Sequence, residues 1–133
     1  MTQHADGSFE VKIAPDGAVD ADDGSALGRM SLEKTFYGGM EGTSKGTMLT
    51  AGSTSVQGSA AYAAVERFTG SVNGRAGSFA LVHRGVISAA GQELLITIVP
   101  DTGSRELTGI TGTFSITIDN AGGHTYDLAY TLP

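Results

Sequence analysis

Glu66 and His83 are the two residues in this sequence best suited to moving a proton. A carboxylate beside an imidazole in apolar surroundings forms a general acid–base pair, because burial and mutual charge move both pKa values. Asn73-Gly74, between them, is a strong signal for a two-residue hairpin turn. Such a turn pairs Val72 with Arg75, and counting outward sets Phe68 opposite Phe79, Glu66 opposite Leu81 and Ala64 opposite His83. Glu66 and His83 then share one face with both phenylalanines. They sit diagonally on adjacent strands, about 7–8 Å apart at the backbone, within side-chain reach. The same placement also suits a structural role, as a buried ion pair or a hydrogen-bonded polar plug.

Tyr62, Tyr126 and Tyr130 fall on the same inferred face. Each offers an apolar ring and one hydroxyl that needs a partner, which suits core packing and ligand walls alike. With Phe68 and Phe79 they form the candidate lining of a small-molecule site: apolar walls and a few orienting polar groups. Lys34 alternates inward with Leu32 and Phe36, so its chain runs along the interior and its ammonium is expected to snorkel.

Other chemistry finds little support. His4, His83 and His124 are far apart and form no His-x-His or His-Glu-x-x-His pattern, so no metal site is expected. Asp20, Asp22, Asp23 and Gly24 faintly resemble a calcium loop but lack the closing Glu, and read as a solvated acidic loop. Gly38-Gly39 and Gly122-Gly123 read as turns, since no helix follows to cradle a phosphate. There is no Gly-x-Ser-x-Gly elbow. Cysteine is absent, which excludes disulfides and thiol catalysis. Nothing asks for a cofactor.

The net charge is −6, and the 8 Lys and Arg are scattered, so no basic stripe exists for nucleic acid. No apolar run is long enough for a membrane helix. The opening residues lack a basic start and an apolar stretch, so no signal peptide is read and the expected compartment is the cytoplasm.

The elements that must position these residues are strands. Period-two alternation runs through Phe9–Ile13, Met30–Phe36, 42–48, 59–69, 77–87, Leu94–Val99, Phe114–Ile118 and Tyr126–Leu132. About eight strands at this spacing predict an all-β sandwich or barrel. The 20 Gly spread along the chain supply turns and bulges. Ala60 to Arg67 has good helix propensity, but the hairpin signal directly after it favours a strand. Residues 14–26 read as an acidic loop. A turn near Ala90-Gly91 sets His83 roughly opposite Ile98. One at Asn120–Gly123 brings Ile118 near Tyr126 and Ile116 near Leu128. The 133 residues make one domain, 1–133, large enough for its own core.

Three stretches carry a family resemblance: Ser31–Gly42, Val65–Phe79 with its Gly-Arg-x-Gly-Ser-Phe, and Ile98–Gly112 with its Val-Pro…Glu-Leu-x-Gly. Together they resemble a bacterial family classed as a domain of unknown function, over most of residues 7–132. The resemblance implies an all-β, eight-stranded, mainly antiparallel up-and-down barrel of the allene oxide cyclase-like type, often oligomeric. It does not imply that cyclase activity, because a fold does not fix a function.

Three functional readings follow. The first is a barrel holding a small apolar or amphipathic molecule. The second is an isomerase, cyclase or lyase with Glu66 and His83 as its catalytic pair. The third is a structural oligomer with a filled barrel. Outward apolar residues such as Val65, Val82 and Leu95 join the resemblance in predicting a homo-oligomer, most simply a dimer.

Overall fold

The computed structural model describes residues 1–133 and contains nine strands. They are β1 (Gln3–Pro15), β2 (Asp20–Asp22), β3 (Ser25–Gly38), β4 (Met40–Ser53), β5 (Ala60–Val72), β6 (Arg75–Ser88), β7 (Gly91–Ile98), β8 (Thr111–Ile118) and β9 (His124–Thr131). The only helical turn is a short 3₁₀ segment, Arg105–Leu107. Every pairing is antiparallel. The sheet order is β1-β9-β8-β7-β6-β5-β4-β3-β2, and β1 also pairs with β3. Eight strands therefore close into a barrel, with β2 as an extra strand on β3. No helix is long and apolar enough to cross a membrane.

The central hairpin has the register the Asn73-Gly74 signal predicts: Val72 opposite Arg75, Phe68 opposite Phe79, Glu66 opposite Leu81 and Ala64 opposite His83. Asn73 and Gly74 take φ of 47° and 85°, the left-handed pair that a turn matching the strand twist requires. Ala60–Arg67 is strand despite its alanines, because cross-strand partners on both sides outweigh local propensity.

Three local readings are corrected. Residues 14–26 are not all loop. β1 continues to Pro15, and Asp20–Asp22 folds back on Ser25–Leu27 through an Asp23-Gly24 turn with φ of 47° and 94°. His83 faces Ile96, not Ile98, because the turn after β6 is the tighter pair Ala89-Ala90 between Ser88 and Gly91. In the last hairpin Ile118 faces His124 and Ile116 faces Tyr126. There Asp119 N–H bonds the Gly123 carbonyl, and the Asp119 carboxylate accepts from the N–H groups of Ala121 and Gly123, which tightens the turn. Both register errors are of two residues, so every side chain keeps its face but moves along the barrel.

One end of the barrel is filled. Phe36 is its hub, edge-on to Phe68 at 5.3 Å and to Tyr126 at 5.6 Å. Phe114 stacks on Tyr126 at 5.4 Å. Met40, Val72, Leu107 and Ile110 complete this core, all buried. Leu107 and Ile110 arrive from the 99–110 connection, which lies along β6 through Val99 N–H to the Ala80 carbonyl and Ser104 N–H to the Ser78 carbonyl. Between β7 and β8 the register is a single pair, Thr97 opposite Thr113. The other end, formed by the far ends of β1, β4 and β6 and the starts of β3, β5 and β7, lacks such a plug.

Candidate functional site

The inward positions of β3, β4, β5 and β6 place four polar residues at mid-barrel. Lys34, Ser44, Glu66 and His83 are all buried. Lys34 on β3 and Glu66 on β5 are separated by β4, yet they meet because β4 carries Gly46 between Leu32 and Glu66. A Cβ on Gly46 would stand 2.7 Å from that of Glu66.

Glu66 is the centre of the cluster. Its Oε1 accepts from Lys34 Nζ at 2.8 Å and from His83 Nε2 at 2.5 Å. Its Oε2 accepts a short hydrogen bond from Ser44 Oγ. Burial alone pushes the carboxyl up. The His83 hydrogen bond, the charges of Lys34 and His83 and the Lys34 hydrogen bond more than reverse this, and hold its pKa down at about 2. Glu66 is therefore an anion at neutral pH with both oxygens occupied. It fixes His83 by accepting from Nε2–H, which turns Nδ1 outward to the Tyr62 hydroxyl at 3.4 Å. Burial, then the Glu66 charge, raise the Tyr62 hydroxyl above its ordinary range.

Lys34 does not snorkel: its side chain is 3% exposed. Nζ lies 5.0 Å from the Phe9 ring centroid, 5.6 Å from Phe114 and 6.0 Å from Phe36. Three rings and one carboxylate surround its ammonium.

Above the cluster lies a cavity of about 120 Å³. Lys34, His83 and Tyr62 form its polar floor, and Phe9, Val11, Ile13, Leu32, Met48, Ile116 and His124 its walls. The His124 ring packs on Phe9 at 5.1 Å. A second cavity of about 220 Å³ shares Met48 and Tyr62 with the first and continues past Gly85, Ile87 and Gln92. Tyr62 stands between the two, its ring lying on Gly85, where a Cβ would collide with it.

The structure thus brings Glu66, His83 and Tyr62 together. It does not bring the other tyrosines to them. Tyr126 Oη accepts from Met40 N–H at 2.8 Å and donates to the Tyr37 carbonyl at 2.9 Å, in the filled end. Tyr130 Oη accepts from Asn73 Nδ2 at 2.8 Å, also there. Phe68 and Phe79 are fully buried beneath the cluster and touch neither cavity. The two-residue shift of the last hairpin explains the tyrosines: it carries Tyr126 away from the mouth and brings His124 to it. Sequence reasoning missed His124 for that reason. It also missed Ser44, although Ser44 shares the inward parity of Met48 on β4.

Comparison with known proteins agrees with this architecture. The chain is similar to a Shewanella oneidensis MR-1 protein of unknown function, from the DUF3224 family, whose crystal structure is known. The two are 41% identical with a TM-score of 0.92, over 100% of this chain and 99% of that one. No curated protein matches. Residues 5–130 match the family described as "Protein of unknown function (DUF3224)". The chain belongs to the DUF3224 family.

Proposed function

We propose that the protein is a binding barrel whose open end holds a small apolar or amphipathic molecule. The observation that carries this reading is the asymmetry of the interior. One half is packed solid, while the other keeps cavities of about 120 and 220 Å³ with apolar walls. Apolar walls with a few convergent polar groups are the usual composition of a small-ligand site. The test is titration with 1-hexanol, followed by NMR of the side chains of Met48 and Ile116. Saturable shifts at those residues, lost when Leu32→Trp fills the cavity, are the expected result. Shifts absent or scattered over the outer surface overturn the reading.

A catalytic reading has one observation in its favour, the run of hydrogen bonds from Glu66 through His83 to Tyr62 at the cavity floor. In this version His83 Nδ1 and the Tyr62 hydroxyl exchange protons with the substrate, and Glu66 is the positioning residue. The measurement is exchange of the α-protons of 2-hexanone into D₂O. Acceleration by the wild type and its loss in His83→Ala support an acid–base enzyme; no acceleration leaves the binding barrel alone.

We also propose that the protein is a homodimer. Leu49, Val65, Val82 and Leu95 are all exposed on adjacent strands, β4 to β7, with Val65 directly opposite Val82. The outer wall of β8 and β9 instead shows Thr113, Ser115, Thr117 and Thr125. A second copy of the same apolar face matches it by self-complementarity. Light scattering at micromolar concentration tests this, and a particle of 13.6 kDa would count against it.

A further inference from the structure

Lys34 carries three N–H donors, as every lysine ammonium does. One of them reaches an acceptor, Glu66 Oε1. The remaining directions around Nζ hold aromatic rings, at 5.0, 5.6 and 6.0 Å to their centroids, and the floor of the 120 Å³ cavity. A ring face attracts the ammonium but does not take the place of a hydrogen-bond acceptor. The other polar groups on that floor are the Tyr62 hydroxyl, which can donate or accept, and His83, whose Nε2–H is already given to Glu66 and whose Nδ1 faces that hydroxyl. The one anion nearby, Glu66, has both oxygens engaged beneath the floor by Lys34, His83 and Ser44. The cavity therefore presents an ammonium with N–H donors to spare at its base, apolar walls above, and no free carboxylate oxygen at that base.

Taking the binding barrel as its premise, we infer that the cavity selects amphipathic molecules whose head group is an oxyanion, such as a carboxylate, received by Lys34 Nζ with Tyr62 beside it. The apolar tail lies along Leu32, Met48 and Ile116 toward the mouth. Four water volumes at about 30 Å³ each would fill such a cavity, so the head group and the first few carbons are enclosed and the rest extends outward. An amine of the same length is excluded, because its ammonium would face Lys34 with no carboxylate oxygen free to receive it.

The experiment compares hexanoate, 1-hexanol and hexylamine at pH 7 on the intact protein, with Kd read from NMR shifts of the Tyr62 and Met48 side chains. Hexanoate is expected to bind at least about tenfold more tightly than hexanol, since a bond charged on both sides, ammonium to carboxylate, is stronger than one from the same ammonium to a neutral hydroxyl. Hexylamine is expected to give no saturable shift. Lys34→Met should remove the advantage of hexanoate over hexanol. If hexanoate and hexanol bind alike in the wild type, the oxyanion preference is overturned and the binding barrel stands. If neither binds, both fall. The wild-type comparison decides between these outcomes even if Lys34→Met does not fold.

Discussion

Lys34 and Glu66 form their ion pair across an intervening strand, Nζ to Oε1 at 2.8 Å, through the gap left by a glycine side chain. A buried pair of this kind is not automatically stabilising, but removing one partner leaves an uncompensated charge. The carboxyl of Glu66 sits at about 2 in the fold against an ordinary 4.5. A depressed folded-state pKa stabilises fully above the unfolded value, and the contribution is lost as pH falls from about 4.5 toward 2. The shift corresponds to about 3 kcal/mol. Urea unfolding at pH 5 and pH 2.5 is expected to show wild type losing about 2 kcal/mol more than Glu66→Gln, since the group is still partly ionised in the fold at pH 2.5. At pH 5 the variant should be the less stable. Equal acid losses in the two proteins would show that Glu66 is not held ionised by the fold.

Tyr62 and Gly85 should be energetically coupled. The ring of Tyr62 occupies the space where a Cβ on Gly85 would stand, with Tyr62 Cδ1 only 2.7 Å from that point. Gly85→Ala is expected to cost about 1–3 kcal/mol by overpacking. In a Tyr62→Ala background the same change should cost little. A double-mutant cycle from denaturant unfolding measures this, and additivity within about 0.5 kcal/mol would contradict it.

Tyr126 and Tyr62 should answer differently to loss of a hydroxyl. Tyr126→Phe leaves the buried Met40 N–H without its acceptor and should cost about 1–3 kcal/mol. Tyr62→Phe removes only a long contact to His83 in a half-buried position and should stay within about 0.5 kcal/mol. Burial raises the Tyr126 hydroxyl above 10.0. A raised folded-state pKa is a contribution present below the unfolded value and lost as pH rises. Wild type should therefore lose stability through the alkaline range more steeply than Tyr126→Phe, read from thermal midpoints between pH 9 and 11.

What the sequence made legible, and what it did not, divides along one physical line. Facing was legible, because alternation repeats every two residues and Asn73-Gly74 anchors it. Lys34, Glu66 and His83 all point where that parity sends them. Height along the barrel was not, because a shift of two residues leaves every face intact. Ala89-Ala90 carries no turn signature, and the Asp119 side chain tightened the last hairpin beyond what Asn120–Gly123 suggests. Tyr126 and Tyr130 were therefore expected beside His83 and stand in the filled end instead. The fate of Lys34 was hidden for another reason. Its burial depends on three aromatic rings from β1, β3 and β8 meeting a carboxylate from β5, a convergence that no local pattern encodes.

The single registered pair between β7 and β8 makes the molecule less a hoop than a rolled sheet held by a clasp. The outer edge of β7 from Gly91 to Ile96 is registered to no strand, so the roll has a free hem at the cavity end. This hem flanks the side of the barrel that carries Ile116 and His124. The phenylalanine core lies at the other end. A guest of the proposed binding barrel would meet this hem rather than the phenylalanine core.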